Sequence, residues 1–174
     1  MGSRKKIRGL KRRIRKFSIE LSELTRDFPE DLSNGYWELH LPDQGSEWIN
    51  SVKTPLNVRK KCLQILINRT KHLIEEKPTH YKNAKVMLMI DFHYWYATKI
   101  EIVIAENDEE FSLYKEDDYT RWIPLDGNRN FSKEWDLTIP VGLEVKGVKE
   151  EIKDVKMVDE DIYGGEIWFI GELI

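Results

Sequence analysis

The chain has 174 residues, a formal net charge of −3 and one cysteine, Cys62. A chain of this size buries enough surface for one core without staples, and a lone cysteine excludes an intramolecular disulfide and every Cys-pair zinc pattern. No stretch reaches the roughly 20 predominantly apolar residues of a membrane span, and residues 1–16 are too basic and too polar for a signal peptide, so a cytoplasmic protein is expected.

The charge is unevenly spread. Nine of the 28 Lys and Arg residues fall within residues 1–19, where there is no acid, and the rest of the chain holds 19 basic against 31 acidic residues. In the same region Ile7, Leu10, Ile14, Phe17, Leu21, Leu24 and Phe28 recur at alternating spacings of three and four. They form the seam of a helix over about residues 4–28, stopped by Pro29, whose ring cannot continue it. Arg4, Lys5, Lys6, Arg8, Lys11, Arg12, Arg13, Arg15 and Lys16 crowd its first half, against the preference of the helix dipole for acids there, worth at most about 1 kcal/mol per surface charge. Something other than local helix stability therefore placed them: an anionic partner, or the chain's own acidic body. Parallel copies of so basic a seam would repel, so it is expected to pack on its own body and the protein to be a monomer.

The turn signal Ser33-Asn34-Gly35 precedes a short alternating strand over 36–42, closed by Pro42. Residues 43–52 read as a loop. Thr54 as N-cap and Pro55 at the first helical position open a second helix. Its buried stripe is Cys62, Leu63, Leu66, Thr70, Leu73 and Ile74, widened by Ile65 and Ile67, and it ends before Pro78. Residues 84–105 are the most apolar stretch. Val86, Leu88, Ile90 and Phe92, then Ile100, Ile102 and Ile104, alternate as two strands of a hairpin, expected at the centre of a sheet. Tyr94, Trp95 and Tyr96 sit at its tip.

Residues 106–118 carry seven acids against Lys115, with a short helix expected at about 109–114. Residues 122–125 read as extended before the turn Asp126-Gly127-Asn128. Residues 137–140 and 143–148 read as further extended pieces, and 149–161 as a mobile loop or irregular edge strand. The final strand, 166–171, is apolar on both faces. Ile90, Ile102 and Trp168 are expected in the core. Helices early and strands late indicate one α+β domain over 1–174, with two main helices packed on a mostly antiparallel sheet with a central hairpin.

Several motifs span nearly the whole chain: Arg8-Gly9-Leu10-Lys11-Arg12, Trp37-x-Leu39-His40-Leu41-Pro42, Trp122-Ile123-Pro124-Leu125, Lys133-Glu134-Trp135-x-Leu137 and Gly165-Glu166-Ile167-Trp168-Phe169-Ile170-Gly171-Glu172-Leu173. On these the chain resembles a family of small, uncharacterised Gram-positive bacterial proteins classed only as a domain of unknown function. The resemblance implies a compact single-domain family and no assigned chemistry.

Glu38-x-His40 and Asp91-x-His93 each place a carboxylate and an imidazole on one strand face. The two pairs together would make a four-ligand metal site or an acid–base set, and x-Asp/Glu-x-His spacing is common on solvated sheet faces. His72 lies near the end of the second helix and His80 in a connection. Cys62 falls in an apolar stripe, where a thiol is inert. There is no P-loop, GxSxG elbow, HExxH or dinucleotide fingerprint. No catalytic residue, metal ligand or cofactor is assigned, and the balance leans away from an enzyme. The binding candidates are Arg8, Lys11, Arg12 and Arg15 on the helix, with Tyr94, Trp95 and Tyr96 as anchors for a protein or stacking platforms for bases. Three readings follow in order. The first is an interaction protein, immunity- or antitoxin-like or related to phage defence, that binds and neutralises a protein partner. The second is a nucleic-acid binder, and the third a hydrolase built on Glu38, His40, Asp91 and His93.

Overall fold

A computed structural model describes residues 9–28, 30–32, 36–41, 54–93, 100–106, 120–152 and 165–173. The elements in chain order are α1 (Leu10–Leu24), β1 (Tyr36–His40), α2 (Leu56–Glu76), a 3-10 turn (Thr79–Tyr81), β2 (Lys85–His93), β3 (Ile100–Ala105), β4 (Thr120–Pro124), the one-turn helix α3 (Phe131–Trp135), β5 (Glu144–Ile152) and β6 (Gly165–Gly171). All six strands join one sheet in the order β1-β3-β2-β6-β5-β4, and every pairing is antiparallel. This is the expected α+β class. Among the described residues no helix is long and apolar enough to cross a membrane.

The two faces of the sheet differ. Leu39, Val86, Leu88, Ile90, Ile100, Ile102, Ile104, Trp168 and Ile170 form one core with Phe17 and Leu21 of α1, six apolar residues of α2 and Phe131 of α3. The other parity places Met89, Val148, Ile167 and Phe169 in a smaller cluster, flanked by Trp122 and Leu173. Ile90, Ile102 and Trp168 are all buried, as expected. The alternation that makes a strand thus decides, residue by residue, which side meets the helices.

Helix α1 packs its seam on the body of the protein: Phe17 and Leu21 are buried, and Leu10, Ile14, Leu24 and Phe28 pack against the core. It ends at Leu24, four residues before the expected Phe28. Thr25 explains the early stop. Its hydroxyl donates to the Leu21 carbonyl at 2.8 Å, and Arg69 of α2 donates to both the Thr25 hydroxyl and carbonyl at 2.7 Å. A partly buried cation from the neighbouring helix takes the groups that a further turn would need. In α2, Pro55 is the cap residue and no side chain caps the helix, so Thr54 lies one position further out than its sequence suggests. The expected stripe is otherwise in place, with Ile67 buried as fully as Cys62.

Three expectations on the second half need correction. Residues 137–140 form no strand, because the Thr138 backbone is held by Gln64 of α2 instead of a neighbouring strand. Residues 149–152 are not a loop: they continue β5, pairing with β4 throughout and, at Lys149, also with Glu166 of β6. Helix α3 was not expected. Asn130 caps it by accepting from the Lys133 N–H at 3.1 Å, and Phe131 plugs it against Trp168, with ring centroids 5.0 Å apart. The short helix expected at about 109–114 and the hairpin tip lie outside the described residues.

Close packing has one sharp demand in β5. A Cβ on Gly147 would meet the Leu125 side chain and stand 2.8 and 2.9 Å from two ring carbons of Trp168, its cross-strand partner. Two measurements check this packing. Leu21→Ala should lower stability to chemical denaturation by about 2–5 kcal/mol, as a buried truncation does, with no change in sedimentation. Gly147→Ala should cost about 1–3 kcal/mol by overpacking, and a Gly147→Ala, Trp168→Phe double variant should recover part of that loss relative to Trp168→Phe alone.

Candidate functional site

Two groups of residues stand out, one on each side of the sheet. The first is the outer face of α1. Spacing of three and four puts Arg12, Arg15, Lys16 and Ile19 on one side of a helix, opposite the buried Phe17 and Leu21. Lys11, Arg12, Arg13 and Arg15 are exposed, and Ile19, one turn beyond Arg15, is 47% exposed. Lys16 pairs with Glu20 at 3.3 Å. Among the described residues no carboxylate pairs with Lys11, Arg12, Arg13 or Arg15. Of the other binding candidates, Arg8, Tyr94, Trp95 and Tyr96 lie outside the described residues.

The second group lies on the sheet face away from the helices, near the β1 edge. Glu38 and His40 share a face of β1, and His40 pairs directly with Glu101 of β3. The Glu101 carboxylate contacts His40 Nδ1, while His40 Nε2 stands 3.4 Å from Glu38 Oε2. Exposure is graded across the cluster. The Glu101 side chain is 0% exposed, Glu38 21% and His40 58%. One ligand atom from each of the three lies within 4.8 Å of the others.

The sequence pairs Glu38-x-His40 and Asp91-x-His93 are not brought side by side. Strand β3 runs between β1 and β2, and Asp91 and His93 pair with Ile167 and Gly165 on the other flank of β2. Their place beside His40 is taken by Glu101, whose direct partner on β2 is Met89. Asp91 is one step further along that strand on the same face, a diagonal neighbour of Glu101 at roughly 7–8 Å by sheet geometry. Glu101 escaped the sequence reading because it looked like one more polar residue alternating with isoleucines. Its signal is a carboxylate in a strand that is buried at all six positions.

Cys62 is buried in α2, and burial pushes its thiol up to about 12. The fold therefore favours the neutral thiol. That contribution to stability is fully present below the unfolded value near 8.5 and is lost as the pH rises through 12. At pH 8 the native thiol should react with a disulfide reagent slower than the denatured chain by about three orders of magnitude or more, since only the thiolate attacks. Reaction at comparable rates in native and denatured protein would contradict this burial.

The family model DUF3916, described as a protein of unknown function, matches residues 19–172. No curated protein matches the chain, and no solved structure matches it. The matched span covers the Glu38–His40–Glu101 cluster and the whole sheet and begins at Ile19, beyond the cations of α1.

Proposed function

Because this chain belongs to DUF3916, a family whose description assigns no chemistry, we propose its role from its own surface: a small, non-enzymatic interaction protein that binds an acidic protein partner through the outer face of α1 and modulates or neutralises it, in the manner of an immunity protein or antitoxin or in phage defence. The observation that carries this reading is the exposed set Lys11, Arg12, Arg13 and Arg15, for which the described residues supply no ion-pairing carboxylate. Four like charges on two adjacent turns repel one another, and an anionic surface relieves that repulsion on contact. Ile19 supports a protein rather than a nucleic acid, since a half-exposed aliphatic side chain one turn beyond Arg15 fits an apolar contact with a polar rim. The acidic balance of the remainder opposes a polyanion and favours a discrete acidic patch. The absence of a membrane-crossing helix among the described residues is compatible with the cytoplasmic setting of such a partner.

Salt separates this from the nucleic-acid reading. A nucleic-acid binder loses affinity linearly in log salt, with a slope of about −0.7 to −0.9 per phosphate neutralised. We expect a slope near zero with both duplex and single-stranded probes at low salt. A slope steeper than about −3 for either overturns the proposal, because it requires three or more phosphates neutralised. In affinity purification from the native cytoplasm, a partner of acidic surface should be retained by the wild type. It should be lost when Lys11, Arg12 and Arg15 are replaced by glutamine, with the thermal midpoint of the variant unchanged.

A further inference from the structure

We infer that Glu38, His40 and Glu101 form a binding site for one divalent first-row transition-metal ion, of the zinc or cobalt class, at the β1 edge of the sheet. The chemistry of the donor set comes first. Imidazole with carboxylate suits these ions, whereas an all-oxygen set would suit calcium or magnesium. The geometry then divides the roles. A tetrahedral ion with bonds of about 2.1 Å holds its ligand atoms about 3.4 Å apart. His40 Nε2 and Glu38 Oε2 are separated by 3.4 Å.

Glu101 supplies the remaining part. Its carboxylate contacts Nδ1, whereas Glu38 stands nearer Nε2. A metal-bound histidine donates its other N–H to a carboxylate or carbonyl, which fixes the tautomer and makes the coordinating nitrogen more basic. Full burial of Glu101 makes it a rigid orienting group, and His40 and Glu38 reach outward to meet an ion from solvent. A neutral imidazole carries one N–H and can donate to only one of its two carboxylate neighbours. With Nδ1–H given to Glu101, the Nε2 lone pair faces the Glu38 oxygen, and a cation shared between them turns a repulsive contact into two bonds. Two protein ligands leave positions open for water or for a group from another molecule, which separates this site from the closed four-ligand structural kind.

The site lies on the face opposite α1 and goes beyond the partner-binding role, so the two are tested apart. Titration calorimetry of the full chain with zinc chloride, and cobalt titration followed by visible absorption, should both give one ion per chain. His40→Ala should weaken binding at least tenfold in protein shown to be folded by circular dichroism, since the ring also meets the buried Glu101 carboxylate. Glu38→Gln should weaken it to a similar degree, and Glu101→Gln by about 10- to 100-fold, the usual effect of losing an orienting group. His80→Ala, at an exposed histidine of the 3-10 turn, and the α1 glutamine variant should bind as the wild type does. Binding that survives His40→Ala overturns the proposal, as does the absence of a one-to-one event at millimolar metal. Loss in His40→Ala with no change in a folded Glu101→Gln overturns the orienting role.

Discussion

The pairing of β6 with β2 is the contact on which the sheet depends. Without it, β1, β3 and β2 form one half and β5 and β4 another, for among the described residues β6 is the only strand hydrogen-bonded to both. Its register runs from Met87↔Gly171 to His93↔Gly165, joining segments about eighty residues apart. Pairing at such long range must overcome the entropy of closing the loop before its contacts offset it. The join is finished by a clamp at the end of β6. The Glu172 N–H donates to the Val86 carbonyl at 3.1 Å, the Val86 N–H donates to the Glu172 carboxylate at 3.0 Å, and the same carboxylate meets Lys77 at 3.1 Å. At Gly171 a Cβ would meet the Val86 carbonyl and stand 2.8 Å from Met87 Cα, so close approach of the two backbones requires glycine there.

That central pairing also sorts the chemistry. Trp168 and Ile170 face the helices, whereas Ile167 and Phe169 face the other side with Met89. The core of the helix face is filled by aliphatic and aromatic side chains, and the charges that reach it, Glu166 and Arg129, pair with each other beside Trp168. The opposite face carries Glu38, His40 and Glu101 toward β1 and apolar residues toward β6. A buried carboxylate is costly unless an opposite charge or a set of hydrogen bonds meets it, and Glu101 is met from the exposed edge by His40. The graded exposure from Glu101 to Glu38 to His40 follows from this placement: one strand in from the edge is buried, and the edge itself is open.

Much of this order was legible in the residues. The seam of α1, the stripe of α2, the alternation of β2 and β3 and the two-faced apolar character of β6 are local patterns, and each is set by the period of its element. What escaped was decided between elements. The end of α1 at Leu24 depends on Arg69, forty-four residues away from Thr25. Helix α3 rests on a single Asn130 cap and on Phe131 meeting Trp168, too short a stretch for periodicity to register. Residues 137–140 carry strand-like residues, yet Gln64 holds the Thr138 backbone and the Leu137 N–H donates to the Ser132 carbonyl. The candidate cluster was half visible: Glu38 and His40 declare a shared face by spacing alone. Glu101 joins them only through the register of β1 on β3, and no local rule fixes that register.

The same register keeps the two surfaces independent. α1 lies on the helix side of the sheet and the Glu38–His40–Glu101 cluster on the other, so the sheet and a helix of roughly 10–12 Å diameter stand between them. At physiological ionic strength, exposed charges are screened beyond about 8 Å. A cation at His40 therefore changes the potential at Arg12 and Arg15 little, and an acidic partner on α1 does not raise the affinity of the cluster through its field. Energetic coupling between the two would have to pass through packing, and the packing route is specific. It runs from His40 along β1 to Leu39, which lies in the same core as Phe17 and Leu21. Because a close-packed core transmits displacement rather than charge, a partner that shifts α1 would reach the cluster by moving β1 against β3, the pairing that sets the distance between His40 and Glu101.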